Sequence, residues 1–173
     1  MCQFIETIQY KDRQFYHLEF HQERVNRTFE NFFSQKPPFN LELILNSTKR
    51  PVKGFYRCRI VYGSDIRSIE FIEHEPRTIR TLKIVRCDSI DYSYKYLDRE
   101  LIQDLTKQKQ EEDDILIIKN GLVTDTSIGN ILFHDGEQWV TPGSALLQGT
   151  TSARLLKGGV IKEGEIKLSD ISS

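Results

Sequence analysis

No stretch of this sequence stays apolar for long. The longest aliphatic run is Ile115 to Ile118, whereas a helix that spans a bilayer needs about 20 such residues. No basic segment opens the chain and a glutamate already stands at position 6, so the N-terminus does not read as a secretory signal. Neither sign of charge dominates: 24 Lys+Arg against 25 Asp+Glu leave a net charge of -1. This excludes the one-sided basic surface of a nucleic-acid-binding domain. No basic amphipathic helix is present to lie on a membrane. Cysteine is scarce and odd in number. Cys2, Cys58 and Cys87 have no metal-ligand or redox spacing, and read as reduced thiols of a cytoplasmic protein. The sequons Asn26-Arg27-Thr28 and Asn46-Ser47-Thr48 carry no weight without secretion. G-x-S-x-G, P-loop, H-E-x-x-H and paired-cysteine motifs are all missing, as are internal repeats and low-complexity tracts.

What is present fits an ordinary globular protein: 38% hydrophobic and 28% charged residues over 173 positions, enough for one compact unit or two small lobes. Met1 to Tyr10 reads as a strand with Phe4, Ile8 and Tyr10 on one face, and Gln14 to Phe20 as its hairpin partner. Val25, Phe29, Phe32 and Phe33 recur at helical spacing, which predicts a helix over 21–33 that stops before Lys36-Pro37-Pro38. Strands are expected at 56–62, 66–74 and 79–87. This α+β pattern defines a first lobe over 1–88. After a linker at 87–91, Leu97, Leu101 and Leu105 mark a helix, and 89–173 forms a second lobe of two hairpins framed by helices. Asn120-Gly121 and Asp135-Gly136 supply the turns, and a short helix runs over about 151–157. The run Glu111-Glu112-Asp113-Asp114 reads as a solvated loop.

Few residues stand out chemically. Gln148-Gly149-Thr150-Thr151 opens a helix, where free amides and hydroxyls suit a phosphate, although Thr and Ser there usually serve only as caps. Lys95 lies among Tyr92, Tyr94 and Tyr96, whose rings would desolvate its amine and favour the neutral form. Arg24 sits one helical turn from His21 and could grip an anion in bidentate fashion. Asp125 ends a short strand, where it could face a protonated ring nitrogen or merely cap a turn. Each also has an ordinary structural reading, as a surface cation, a cap or a turn carboxylate.

Their order along the chain resembles the class IV aminotransferase family, the fold-type IV pyridoxal phosphate enzymes. Phe4-Ile5-Glu6-Thr7 resembles the family's opening strand, and His21-Gln22-Glu23-Arg24 its His-x-x-Arg helix. Lys95 stands at the Schiff-base lysine. Asn120-Gly121-Leu122-Val123-Thr124-Asp125, then Asn130-Ile131-Leu132-Phe133, resemble its most characteristic stretch. Thr141-Pro142 and Gly149-Thr150-Thr151 resemble its later turn and phosphate loop. The resemblance implies a two-lobed fold like that of D-amino acid aminotransferases and a pyridoxal 5'-phosphate cofactor. It further implies Lys95 as the catalytic and cofactor-bearing residue, Arg24, Thr150 and Thr151 at the phosphate, Asp125 at the ring nitrogen, and Asn130 in the binding set. A homodimer acting on a small amino substrate, with neither nucleic acid nor membrane as partner, goes with it.

Three departures stand against the family pattern. Asp125 replaces a glutamate, Ser152 replaces an arginine (with Arg154 as the neighbouring substitute), and family members continue beyond the point where this sequence stops, so a compact or C-terminally shortened form is expected. Arg99, four residues after Lys95, is a lyase-like feature. The resemblance therefore implies first a lyase similar to 4-amino-4-deoxychorismate lyase, forming 4-aminobenzoate and pyruvate. An aminotransferase for a branched-chain or D-amino acid is the alternative, and a catalytically degenerate homologue the second alternative.

Overall fold

The structure is a computed structural model that describes residues 2–171. Backbone contacts gather the chain into two units, Met1–Arg77 with Tyr94–Asp98, and Thr78–Ser93 with Arg99–Ser173. The sequence-based division at residue 88 differs in two places, at the strand that follows residue 78 and at the short segment that carries Lys95.

The first unit is a four-stranded antiparallel sheet in the order Gln14–Phe15 (β2), Phe4–Lys11 (β1), Phe55–Tyr62 (β3), Ile66–Glu73 (β4). Strand β1 (Phe4–Lys11) pairs along its whole length with β3 (Phe55–Tyr62), which pairs with β4 (Ile66–Glu73). Alternation puts Phe4, Ile8 and Tyr10 on one face, fully buried. The expected hairpin partner is only β2 (Gln14–Phe15). His17 turns to φ 59°, and helix α1 (Leu18–Thr28) starts directly after it. Phe20, His21, Arg24, Val25 and Thr28 form the buried stripe of α1. The expected helix end survives in altered form, because Phe29–Phe33 is a π-helical turn. The wider turn brings Phe32 and Phe33 against Phe4, with ring centroids at 5.1 and 5.9 Å. Such contacts contribute about 0.5–1.5 kcal/mol each beyond burial.

Helix α2 (Leu41–Ser47) has no counterpart in the sequence reading. Only Leu41 and Leu45 are buried there, too few for a periodic signal. Its start is fixed by Asn40, whose side chain accepts from Leu43 N at 3.1 Å.

The helix expected from Leu97 starts later, and the segment before it bridges to β1 around a tight turn in which Tyr96 N donates to Tyr94 O at 2.8 Å. Ile5 N donates to Lys95 O at 2.9 Å and Leu97 N to Gln3 O at 2.8 Å. Residues 94–97 therefore add a short strap to the edge of β1, and this is why they group with the first unit.

The second unit holds two three-stranded sheets. Strand β5 (Leu82–Arg86) runs parallel to β6 (Asp114–Lys119), which turns through Asn120-Gly121 into antiparallel β7 (Leu122–Thr126). That parallel pairing draws 82–86 out of the expected first lobe. Helix α3 (Glu100–Thr106) lays Ile102 and Leu105 into the core. The other sheet joins β8 (Phe133–His134), β9 (Trp139–Pro142) and β10 (Ile161–Gly164), with β10 parallel to β9 and helix α4 (Thr150–Lys157) between them in sequence. Strand β10 escaped the sequence reading because Ile161 is its only large apolar residue. Among the described residues, no helix is long and apolar enough to cross a membrane, and no His/Cys/Asp/Glu group could hold a metal ion.

Candidate functional site

In the first unit, Arg24 and His21 lie one turn apart on α1, as the sequence suggested, and both meet β1. Arg24 Nε donates to Glu6 Oε1 at 2.8 Å and Nη2 to Oε2 at 2.6 Å. His21 Nδ1 is 2.6 Å from Oε2. All three residues are buried, Glu6 completely. Burial by itself raises the Glu6 pKa, but the charge and hydrogen bonds of Arg24, with those of His21, outweigh it and bring the carboxyl down to about 2. Glu6 is thus a carboxylate, which only accepts, so His21 Nδ1 carries the proton it donates. The bidentate fork fixes the guanidinium plane, and Nη1 lies outside that fork. Glu6 was not singled out from the sequence. The available signal was a charged residue on the strand face it shares with Phe4, Ile8 and Tyr10.

Lys95 is half-buried in the strap. Its flanking rings behave differently from the expectation. Tyr94 and Tyr96 both pack on Phe4, at centroid distances of 6.1 and 5.5 Å. Lys95 is the middle residue of a tight turn that Tyr96 N closes on Tyr94 O at 2.8 Å.

In the second unit, Asp125 is nearly fully buried at the end of β7. Its Oδ1 accepts from Asn130 Nδ2 at 2.7 Å, and its Oδ2 from the amides of Leu146 and Leu147 at 3.0 and 3.2 Å. Asn130 Nδ2 also donates to Leu147 O at 2.8 Å, and Asn130 Oδ1 accepts from Gly149 N at 2.9 Å. One amide side chain thus links the Asp125 carboxylate to the residue that caps α4. Thr150 and Thr151 form the first turn of that helix, where backbone N–H groups lack intrahelical partners and favour an anion. Gly149 is required by space, since a Cβ there would collide with Asn130 Oδ1.

Ser152, where an arginine was expected, is buried, and with Asn130, Gln148 and Glu163 it lines a cavity of about 80 Å³. At roughly 30 Å³ per water this holds a few waters and no cofactor. Arg154 is not among the residues around it. Arg99, the lyase-like residue, donates from Nη2 to the carbonyl of Ser127 and lies over the Tyr92 ring, 5.9 Å from its centroid. It thereby secures the turn between Asp125 and Asn130.

The donor set suits pyridoxal phosphate in kind. The second unit offers a buried, oriented carboxylate for a protonated ring nitrogen, and a glycine-capped helix start for a phosphate. The first unit offers a fixed guanidinium and a lysine amine. The Asp125–Asn130–Gly149 chain carries this fit, because it holds the carboxylate and the helix start in one hydrogen-bonded frame.

The model of the family described as Amino-transferase class IV matches residues 93–173. An uncharacterized protein of Haemophilus influenzae is 37% identical over 173 residues, covering 99% of this chain and 92% of that one. A crystal structure from Haemophilus somnus 129PT, named "putative 4-amino-4-deoxychorismate lyase", is 38% identical over 98% of this chain and 90% of that one, with a TM-score of 0.90. The PLP-bound form of a hypothetical aminotransferase from Mycobacterium tuberculosis shares the fold at 13% identity and a TM-score of 0.71, over 97% of this chain and 73% of that one.

Proposed function

Since the chain belongs to the class IV aminotransferase family, we propose that it is a pyridoxal-phosphate enzyme acting as a lyase on 4-amino-4-deoxychorismate, releasing 4-aminobenzoate and pyruvate. Lys95 would hold the cofactor covalently. Arg24, Thr150 and Thr151 would take the phosphate, Asp125 the ring nitrogen, and Asn130 would keep Asp125 and Gly149 in register. When bound, the cofactor supplies an electron sink for the charge that develops at the carbon bearing the substrate's amino group.

The remaining work falls to the chain's own groups. Once the substrate's amine has replaced it, Lys95 Nζ would take the proton from that carbon; the bond between the ring carbon and the enolpyruvyl oxygen would break as the ring becomes aromatic, and the released enolpyruvate would take up a proton at its methylene carbon to become pyruvate. Asp125 keeps a proton on the ring nitrogen by its negative charge. Arg24, rigid against Glu6, would offer the phosphate an oriented guanidinium, and the α4 start would offer it free backbone amides. The observation that carries this reading is the Asp125–Asn130–Gly149 hydrogen-bond chain. The lyase choice is supported by the name of the 38%-identical structure and by Arg99 four residues beyond Lys95.

Borohydride reduction of the cofactor-loaded protein followed by peptide mapping tests the assignment. The pyridoxyl group is expected on Lys95, with no label in Lys95→Ala; label on another lysine overturns it. Incubation with 4-amino-4-deoxychorismate alone is expected to yield 4-aminobenzoate over many turnovers. If turnover instead requires an added 2-oxo acid, the enzyme is an aminotransferase. If no visible cofactor band forms, it is a catalytically degenerate homologue.

A further inference from the structure

The cavity of about 80 Å³ in the second unit is built by β9, β10, the loop from β9 to α4, and the first turn of α4. Parallel pairing sets Glu163 of β10 beside Thr141 of β9, so both reach the space from the sheet. Ser152 reaches it from the helix, and Asn130 from the chain that joins Asp125 to Gly149. Ser152 is 8% exposed, yet its hydroxyl has no hydrogen-bond partner among the described residues. Buried hydroxyls normally have one.

The other groups around the space are left with lone pairs to offer. The Glu163 carboxylate makes neither a hydrogen bond nor an ion pair among the described residues. Thr141 Oγ1 gives its proton to Ile131 O at 3.1 Å, so toward any further group it can only accept. Asn130 commits Nδ2 to Asp125 and Leu147 O, while its Oδ1 accepts once, from Gly149 N, and can accept again. No lysine, arginine or histidine lines the cavity. A carboxylate set among acceptors calls for a positive charge.

We propose that this cavity binds a compact monovalent cation, potassium or ammonium, between Glu163, Ser152, Thr141 and Asn130. Oxygen ligands that are mostly neutral replace the water around a hard cation, and the single carboxylate matches a single charge. Among the described residues no cluster of His, Cys, Asp or Glu exists to hold a divalent ion. At roughly 30 Å³ per water, the space takes such an ion with one or two waters and excludes a bulky organic cation. Asn130 belongs both to this site and to the Asp125–Asn130–Gly149 chain. A bound cation therefore braces the frame that carries Asp125 and the α4 start. Its binding requires no cofactor, so the site stands or falls apart from the proposed activity.

Thermal melts of the purified full chain in potassium, ammonium or choline chloride of equal concentration test the site. Choline is too large for the cavity and controls for ionic screening. At a concentration about tenfold above the dissociation constant, potassium or ammonium is expected to raise the melting temperature by about 3–5 °C over choline. The ion with the lower midpoint is the preferred occupant. Glu163→Gln is expected to abolish the difference between salts, while its melting temperature in choline equals or exceeds that of wild type, because only an exposed, unpaired charge is removed. Ser152→Ala should weaken binding several-fold. Equal stabilisation in choline, or a response that Glu163→Gln retains, overturns the proposal. Crystals soaked in rubidium chloride give a readout that no variant's folding can confuse. An anomalous peak is expected between Glu163 and Ser152, and its absence from the cavity overturns the proposal as well.

Discussion

A carboxylate with no exposed surface sits between a strand and a helix of the first unit. Glu6 is stable there as an anion only because Arg24 and His21 answer it. Its pKa is about 2 in the folded protein against an ordinary 4.5. A depressed carboxyl pKa contributes stability that is complete above the unfolded value and lost as pH falls through the folded one. Denaturant melts are therefore expected to lose about 3 kcal/mol from this group between pH 5 and pH 2. Glu6→Gln should remove that share of the pH dependence and leave Arg24 buried without its counter-charge, a loss of roughly 3–5 kcal/mol at neutral pH. A variant whose acid profile matches wild type would place the effect elsewhere.

At this scale the sequence singled out candidates where a residue belonged to an ordered set of motifs: Arg24, Lys95, Asp125, Asn130, Thr150 and Thr151. Of these, the structure joins Asp125 to Asn130 by a hydrogen bond. Glu6 was not among the candidates, because its buried pairing with Arg24 and His21 depends on which face of a strand it occupies and on what lies across from it. Composition cannot show that, and a single strand read alone shows it only faintly.

Among the elements, turns and caps separate two kinds of glycine. Gly121 has φ 78° and open space around a would-be Cβ, so Gly121→Ala should cost only the left-handed backbone penalty, about 1–2 kcal/mol. Gly149 has an ordinary φ of -68° but faces Asn130. Gly149→Ala should act by expelling the Asn130 side chain. Its effect and that of Asn130→Ala are then expected to be less than additive in a double-mutant cycle of unfolding free energies. Full additivity would show that the two positions are not joined. The periodic elements β1, β3, β6 and α1 were legible because each buries a stripe, and β4 because Ile66, Ile69 and Phe71 pack partly buried against the same core. Short α2 and β10 were not, each resting on one or two buried residues. Leu97 misled for a definite reason: it shares helical spacing with Leu101 and Leu105, yet the β1 edge captures its backbone first.

For the molecule as a whole, the strap decides how the chain is organised. If residues 94–97 belong to the first unit, the amides of Ile5 and Leu97 should exchange with solvent as slowly as the interior of β1. Native-state hydrogen exchange measures this. Fast exchange at those two positions, with Ile8 still protected, would reduce the segment to a plain connector. The expected break at 88 missed this arrangement because a chain read in one direction gives no sign that it will return. The path enters the second unit at Thr78, comes back for Tyr94–Asp98, and leaves again at Arg99. Neither unit is therefore a contiguous stretch of sequence. No single cut of the polypeptide, and no simple splice with a relative, separates the two intact, so shuffling them as interchangeable cassettes is closed to both evolution and the engineer.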